Sequence, residues 1–394
     1  MRVPRFAMER MQSTYENLVD YNLSESGVHP MRVEELIGDP ADRAGVLGQE
    51  LVYPQSNGTV ELRERIAAMY PGATIDHIEV TNGGSEANFV TMWHLIEPGD
   101  EVVSMVPNYG QTLGLAEGFG GVLTPWPLRL SEDGRGWHAD LDSLAALVNA
   151  KTKLIILCNP NNPTGARIPA AALDGICAIA GRVGAWVLSD EIYRGAEIDG
   201  VETPSVWGRY DRVIITSGLS KAYGLPGLRV GWIASTPEMV ATTWAYHDYT
   251  TIGPGTLSDR FARIALQPAM RAKILSRTRS ILTANLPVIT DWLDAHADHF
   301  SYARPEAGAI VYMRYHDPIN STALVDRLRI EKSVLIVPGD HFGMDGYLRV
   351  GFGSEVRYLR DGLDRIADLL RGLPRGSRPN DPLSRPDAPA ARRS

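Results

Sequence analysis

Cysteine is scarce in this chain: Cys158 and Cys177 are the two among 394 residues. Both lie in apolar stretches, and their spacing matches no metal motif. The expectation is two reduced, buried thiols in a cytoplasmic protein, not a disulfide framework. Long hydrophobic runs are absent, and none approaches the roughly 18 residues of a membrane helix. The opening Met-Arg-Val-Pro-Arg-Phe-Ala-Met-Glu-Arg has neither the apolar core nor the cleavage pattern of a signal peptide. An excess of positive charge is missing too. Against 47 Asp and Glu stand 39 Lys and Arg, a net charge of −8, which argues against a general nucleic-acid binder but not against binding a small anion. No internal repeat is evident. What remains is ordinary globular composition, 44% apolar and 22% charged. It excludes a mostly disordered chain, a collagen-like fibre and a coiled coil. The length allows a large core without disulfides and favours two or three domains, or one large α/β domain with an attachment.

The first 45 residues read as an arm and a loop, with a short helix over Glu9–Leu18 and a turn over Ser24–Pro30. A helix is expected over Thr59–Met69, where Val60, Leu62, Ile66 and Met69 are apolar. Short apolar runs then alternate with helical stretches. Strands are expected at His77–Val80, Glu101–Val106, Leu154–Cys158, Trp186–Leu188, Val213–Thr216 and Val230–Ala234, with helices such as Ser85–Leu95 and Ala170–Arg182 between them. Continuous Val/Ile runs mark strands buried on both faces, and the alternation predicts a mainly parallel sheet between helices. After Pro254 the pattern changes. One long helical stretch over Leu257–His296 leads to strands at Ala309–Arg314, Val334–Val337 and Leu348–Gly351, with helices at Ser321–Arg329 and Glu355–Leu370. This reads as a smaller α+β domain. From Arg375 onward the chain carries five Arg against two Asp among Pro and Ser, and it is expected to be disordered.

Four segments carry chemistry. Lys221, in Ser220-Lys221-Ala222-Tyr223-Gly224-Leu225-Pro226-Gly227-Leu228-Arg229, follows a strand and precedes a Gly/Pro loop with an arginine. A partly desolvated lysine is a nucleophile toward carbonyls, and an arginine can clamp a phosphate. Ser189-Asp190-Glu191-Ile192-Tyr193 also follows a buried strand. A carboxylate there can hold a protonated ring nitrogen, and a tyrosine can hydrogen-bond a phenolic oxygen; a plain helix N-cap by Asp190 is the alternative. Asn159-Pro160-Asn161-Asn162-Pro163-Thr164-Gly165 is a turn able to present an asparagine amide. Thr81-Asn82-Gly83-Gly84-Ser85-Glu86-Ala87 leaves backbone N–H groups at a helix start, a phosphate seat unlike the Gly-Lys-Ser/Thr loop.

Together and in this order, the four segments resemble the class I/II aminotransferases, fold-type I pyridoxal-phosphate enzymes, over roughly residues 20 to 370. The resemblance implies an α/β fold with a mainly parallel seven-stranded sheet between helices and a smaller α+β domain. It divides the chain into an arm and substrate loop (1–44) packing with the small domain, a large cofactor domain (45–280), a small domain (281–374) and a tail (375–394). It makes Lys221 the imine-forming lysine, Asp190 the partner of the ring nitrogen, and Tyr193 and Asn162 the groups on the ring oxygen. Gly84, Ser85, Ser220 and Arg229 then contact phosphate, and Tyr109 stacks on the ring. Tyr53, five residues before Gly58, reaches the neighbouring subunit's phosphate, which implies a homodimer. Arg349, in Tyr347-Leu348-Arg349-Val350-Gly351, grips the substrate α-carboxylate, which Gly27 also touches. Gly218 departs from the pattern: many relatives have serine there, so Ser217 or Ser220 takes that contact or one phosphate bond is lost.

The implied activity is transfer of an amino group from an L-amino acid to a 2-oxo acid. The stretches Ser24–His29, Thr124–Arg129 and Ser220–Trp232 also resemble cyclases of the capreomycidine synthase type, which act on an arginine derivative. A catalytically inert regulator is the least favoured reading, since no DNA-binding segment accompanies these residues. Glu25, His29, Tyr109 and His247-Asp248-Tyr249-Thr250-Thr251 are candidates for the side-chain pocket, and Glu25 with Asp248 would suit a cationic side chain. His29 is a loop-packing residue or an extra acid/base group. His296-x-x-His299 reads as an exposed helix face, and no metal or membrane is implied.

Overall fold

The computed structural model describes residues 2–373; the expected disordered tail lies outside them. The strands, in chain order, are β1 Tyr21–Asn22, β2 Ile78–Thr81, β3 Glu101–Val106, β4 Val122–Leu130, β5 Trp137–Ala139, β6 Thr152–Cys158, β7 Trp186–Asp190, β8 Val213–Gly218, β9 Gly231–Ala234, β10 Phe300–Tyr302, β11 Ile310–Tyr315, β12 Val334–Leu335, β13 Val337–Pro338 and β14 Tyr347–Gly351. The main sheet runs β2-β9-β8-β7-β6-β3-β4-β5. Its centre, from β8 through β7, β6 and β3 to β4, is parallel, while β9 is antiparallel to both β8 and β2.

Alternation along the central strands assigns their two faces. Ile155 and Leu157 of β6 join one core with Val187 and Ile215. Leu154 and Ile156 join the other with Leu188 and Ile214. Helices Ala170–Val183 and Gly84–Leu95 cover opposite faces. The middles of the central strands are therefore buried on both faces, and they show little polar alternation in the sequence.

Three elements differ from expectation. The sheet has an eighth strand, β5, pairing antiparallel with the end of β4. The β4 segment itself escapes sequence reading because Pro125 and Pro127 argue against a strand. Both face β3 on one side, and β5 begins to pair only at Leu128, so neither proline needs to donate on the open side. The stretch Leu257–His296 is two helices, Thr256–Ala265 and Pro268–Ala295. Pro268 forces its predecessor out of the helical region, and Gln267 sits at φ −56°, ψ 136°. The expected strand Val334–Val337 is divided: β12 pairs in parallel with β1, and β13 pairs antiparallel with β14.

A second sheet, β10-β11-β14-β13, is wholly antiparallel. The N-terminal arm joins this late part of the chain through β1 and β12 and through the Gly351 N–H, which donates to the Leu23 carbonyl. Cys158 and Cys177 are free and buried, as expected. No helix of the described residues is long and apolar enough to cross a membrane.

Candidate active site

The carboxyl ends of the parallel strands open on one edge of the main sheet, where α/β folds place ligand groups. Asn162 follows β6, Asp190 ends β7, Lys221 follows β8, Tyr109 follows β3 and Gly84 follows β2.

The turn after β2 forms an anion seat. Gly83 has φ +88° and caps helix Gly84–Leu95 without a side-chain acceptor, so the first backbone N–H groups of the helix are left for a ligand. Arg229 lies against this turn. A Cβ at Gly83 would come within 2.3 Å of its Nη2, and the left-handed φ itself calls for glycine. Arg229 Nη1 also donates to Ser220 Oγ at 3.4 Å. Of the two serines offered in place of a serine at 218, Ser220 belongs to this seat. Ser217 is turned away and donates to the Glu191 carbonyl at 3.2 Å. At Gly218 itself a Cβ would meet the Val230 carbonyl oxygen at 2.7 Å and Gly231 Cα at 3.0 Å. The closeness of β9 thus excludes a side chain there.

Asp190 lies at the floor. Its Oδ1 accepts from the Ile192 N–H at 3.1 Å and its Oδ2 from Asn88 Nδ2 at 3.3 Å. Burial pushes its carboxyl up, while those bonds and the Lys221 charge pull it down. Asn88 is held in turn by Thr216, whose hydroxyl donates to its Oδ1 at 2.7 Å. Sequence reading missed Asn88, since an asparagine inside a helix carries no motif. The Tyr193 hydroxyl donates to Ser26 Oγ at 2.8 Å, and burial lifts its phenol well above the ordinary range. The Tyr109 hydroxyl donates to Glu9 Oε1 at 2.8 Å.

Arg349 is 1% exposed. Its Nη1 donates to Asn162 Oδ1 at 2.8 Å and its Nη2 to the Ser24 carbonyl at 2.6 Å, while Nε has no partner. A buried guanidinium without a carboxylate is costly, and the free donor marks a place for an anion. Gly27 closes this side, since a Cβ there would lie 3.6 Å from Lys221 Cα.

Lys221 Nζ stands 3.6 Å from Glu25 Oε2, and Glu25 is half exposed in the cleft. The Lys221 charge holds the Glu25 carboxyl below its usual range. Glu16 is lifted by burial and by the charges of Glu25 and Glu9. Glu25 and Glu16 thus lie within the field of Lys221, and Glu9, held by Tyr109, stands beside them.

Other candidates fall elsewhere. Tyr53 is 91% exposed and outside the site of its own chain. His29 packs the loop: Arg277 donates to its carbonyl at 3.1 Å, and its Nε2 lies 3.5 Å from Glu355. Asp248 and Tyr249 are exposed, and His247 is buried behind the anion seat, so that stretch does not join Glu25. His299 pairs with Asp317 at 2.9 Å, and among the described residues no group of three or more His, Cys, Asp or Glu is placed to hold a metal.

Known proteins share both sequence and fold. The family described as aminotransferase class I and II matches residues 22–366. Capreomycidine synthase of Streptomyces vinaceus is 31% identical over 360 residues, 91% of each chain. A PLP-dependent aminotransferase from Streptococcus suis superposes with a TM-score of 0.89 at 33% identity, covering 96% of this chain and 100% of that one. The PLP-dependent cyclase OrfR gives 0.84 at 27% identity, over 94% and 98%. The anion seat, the buried Asp190 and the adjacent lysine fit a phosphorylated pyridine aldehyde. The chain belongs to the class I and II aminotransferase family, and its cofactor is pyridoxal phosphate.

Proposed function

We propose that the chain moves an amino group from an L-amino acid to a 2-oxo acid, with Lys221 as the catalytic amine. The observation that carries this is the convergence of Lys221, Asp190 and the partly unpartnered, buried Arg349 on one cleft beside the Arg229 anion seat.

Pyridoxal phosphate supplies an aldehyde for the substrate amine and a ring that accepts electrons. The chain's own groups do the rest. Gly84, Ser85, Ser220 and Arg229 hold the phosphate, and Tyr109 packs on the ring. Asn162 and Tyr193 hold the ring oxygen, and Tyr53 of a second copy completes the phosphate site in a homodimer. The Asp190 carboxylate keeps a proton on the ring nitrogen. Arg349 and the Gly27 loop orient the substrate through its α-carboxylate. Lys221 removes the proton from the substrate Cα and returns one as general base and acid. Lys221→Ala should abolish both activity and the cofactor adduct that borohydride fixes in the unmodified protein.

A second reading is a cyclase of the capreomycidine synthase type acting on an arginine derivative. The carboxylates of Glu25, Glu16 and Glu9 favour it, since they would suit a cationic side chain. Cofactor-loaded protein mixed with single amino acids, arginine and hydroxyarginine among them and no 2-oxo acid, separates the two. Stoichiometric conversion to the pyridoxamine form with release of a keto acid supports transamination. Persistence of the aldehyde form during catalytic consumption refutes it, and the product mass then tests for ring closure.

A further inference from the structure

Behind the anion seat lies a charged cluster that none of the steps above uses. His247 ends helix Pro237–His247, and its ring is 0% exposed. Two carboxylates bracket it. Nδ1 lies 3.2 Å from Glu79 Oε1 on β2, an ion-pair contact without good hydrogen-bond alignment. Nε2 lies 3.1 Å from Glu86 Oε2, in the first turn of helix Gly84–Leu95. Glu79 also accepts from the Thr243 hydroxyl. Glu86 accepts from the Thr250 and Thr251 hydroxyls at 2.6 and 2.8 Å and from the Asn82 backbone N–H at 2.6 Å. Asn82 Nδ2 in turn donates to Thr251 Oγ1 at 2.6 Å and to the Gly253 carbonyl at 3.0 Å.

Three buried ionisable side chains are an expensive way to pack a core, since apolar residues of similar volume usually do as well or better. Their position gives the reason. Asn82 directly precedes Gly83 and Gly84, whose turn carries Arg229 and the free N–H groups. Glu86 draws the Asn82 N–H inward and ties the 250–253 loop to the same turn, which fixes the seat from behind. Yet a carboxylate in the first turn of this helix would repel the phosphate the seat is built for. His247 lies between that carboxylate and Glu79, whose own carboxyl burial pushes up, and supplies the compensating charge. Burial pulls the imidazole down, but its contacts with Glu79 and Glu86 outweigh this and lift it to about 9. Glu86, raised by burial, is held at about 2 by His247, Thr250 and Asn82.

We propose that His247, bracketed by Glu79 and Glu86, is a positioning residue for the cofactor phosphate: it cancels the charge of the carboxylate that shapes the phosphate seat. This rests on assigning that seat to Gly84, Ser85 and Arg229. The test measures the ratio of the apoenzyme's affinities for pyridoxal phosphate and for pyridoxal, which lacks the phosphate. Packing defects remote from the seat, or changes at Lys221, move both affinities together and leave the ratio unchanged, and a local packing defect at His247 would not be repaired by a second substitution at Glu86.

Arg229→Ala should lower the ratio; if it does not, the seat assignment fails. His247→Gln should lower it on the order of tenfold, a usual coupling between neighbouring sites. Adding Glu86→Gln to His247→Gln should restore most of the loss, because the uncompensated charge is then gone. If Arg229→Ala lowers the ratio and His247→Gln leaves it unchanged, or if the double variant shows no recovery, the role of His247 is refuted while the seat stands. Should His247→Gln fail to fold, unmodified protein gives the answer. Facing His247 are Glu79 from β2 and Glu86 from helix Gly84–Leu95, with the Thr251 hydroxyl at 3.1 Å from Nε2. The ratio should fall as pH rises through about 9 with loss of the imidazolium, and a ratio flat between about pH 7.5 and 10 overturns the proposal.

Discussion

Asp190 and Glu191 are sequence neighbours with opposite surroundings. Asp190 turns toward Asn88 and Lys221. Glu191 turns to Ser205 and the Val206 N–H at 2.8 and 3.2 Å, and burial lifts it to about 7. A sequence offers both acids; the family resemblance singles out Asp190, and the structure places it as the last residue of β7. Asn88 had no such marker among Ala87, Phe89 and Val90. Its amide orients the Asp190 carboxylate, so Asn88→Ala should lower kcat about tenfold or more, the usual worth of a bond to a charged group. Steady-state kinetics with cofactor content held equal would check it. Arg349→Ala should cost on the order of 10²-fold in kcat/KM, as loss of a buried charge contact does, and a rise in KM alone would mean that it binds ground state and transition state equally. His247 also links stability to pH. Its folded pKa of about 9 lies above the ordinary 6.5. Its contribution is therefore complete below pH 6.5 and lost as pH rises through about 9. Melting temperatures of unmodified and His247→Gln protein should converge toward pH 10.

At the level of elements, Glu101–Val106 and the neighbouring parallel strands were legible as uninterrupted Val/Ile runs. The loops after them were legible for the same reason, since a site in this architecture sits where those runs stop. Local chemistry obscured the rest. Two prolines hid β4, whose partner on one side is missing where they occur. The two helices after Gly255 looked like one because the break needs only Gln267 and Pro268. Register hid the division of 334–337 between two sheets, since partner choice there depends on β1, some 310 residues earlier. Gly218 departs from the family pattern, and the contact with Val230 explains it. Gly218→Ser should therefore destabilise by about 1–3 kcal/mol, the usual cost of overpacking against a backbone that cannot yield, read as a lower denaturation midpoint at unchanged m-value.

On the scale of the whole molecule, several exposed apolar side chains gather in one region. Leu47, Leu51, Val52 and Tyr53 are all more than half exposed. The chain carrying them touches the 253–256 loop: the Thr256 hydroxyl donates to the Val52 carbonyl, and Gly253 lies against Ser56. Tyr249 and Ile252 add to the same region, which adjoins the phosphate seat through Asn82. An apolar surface of this kind asks for a partner, and a second copy of the chain would bring Tyr53 to the seat. Sedimentation should give twice the chain mass, and Leu51→Asp should shift it toward monomer with weaker cofactor retention. A monomeric unmodified protein that keeps its cofactor would refute this. A partner subunit is expected only through resemblance, because one chain's sequence does not say what its exposed tyrosine meets.

The bond from Arg349 to the Ser24 carbonyl joins residues 325 positions apart. A ribosome adds ~5–20 residues per second, so Ser24 waits tens of seconds for its partner to be made. Throughout that interval the first-made segment has no sheet to join, because β12 and β14 do not yet exist. On the proposed reading of Arg349, substrate grip is thus among the last features to be completed during synthesis, and a nascent chain that stalls short of it would hold Lys221 without its partner for the α-carboxylate.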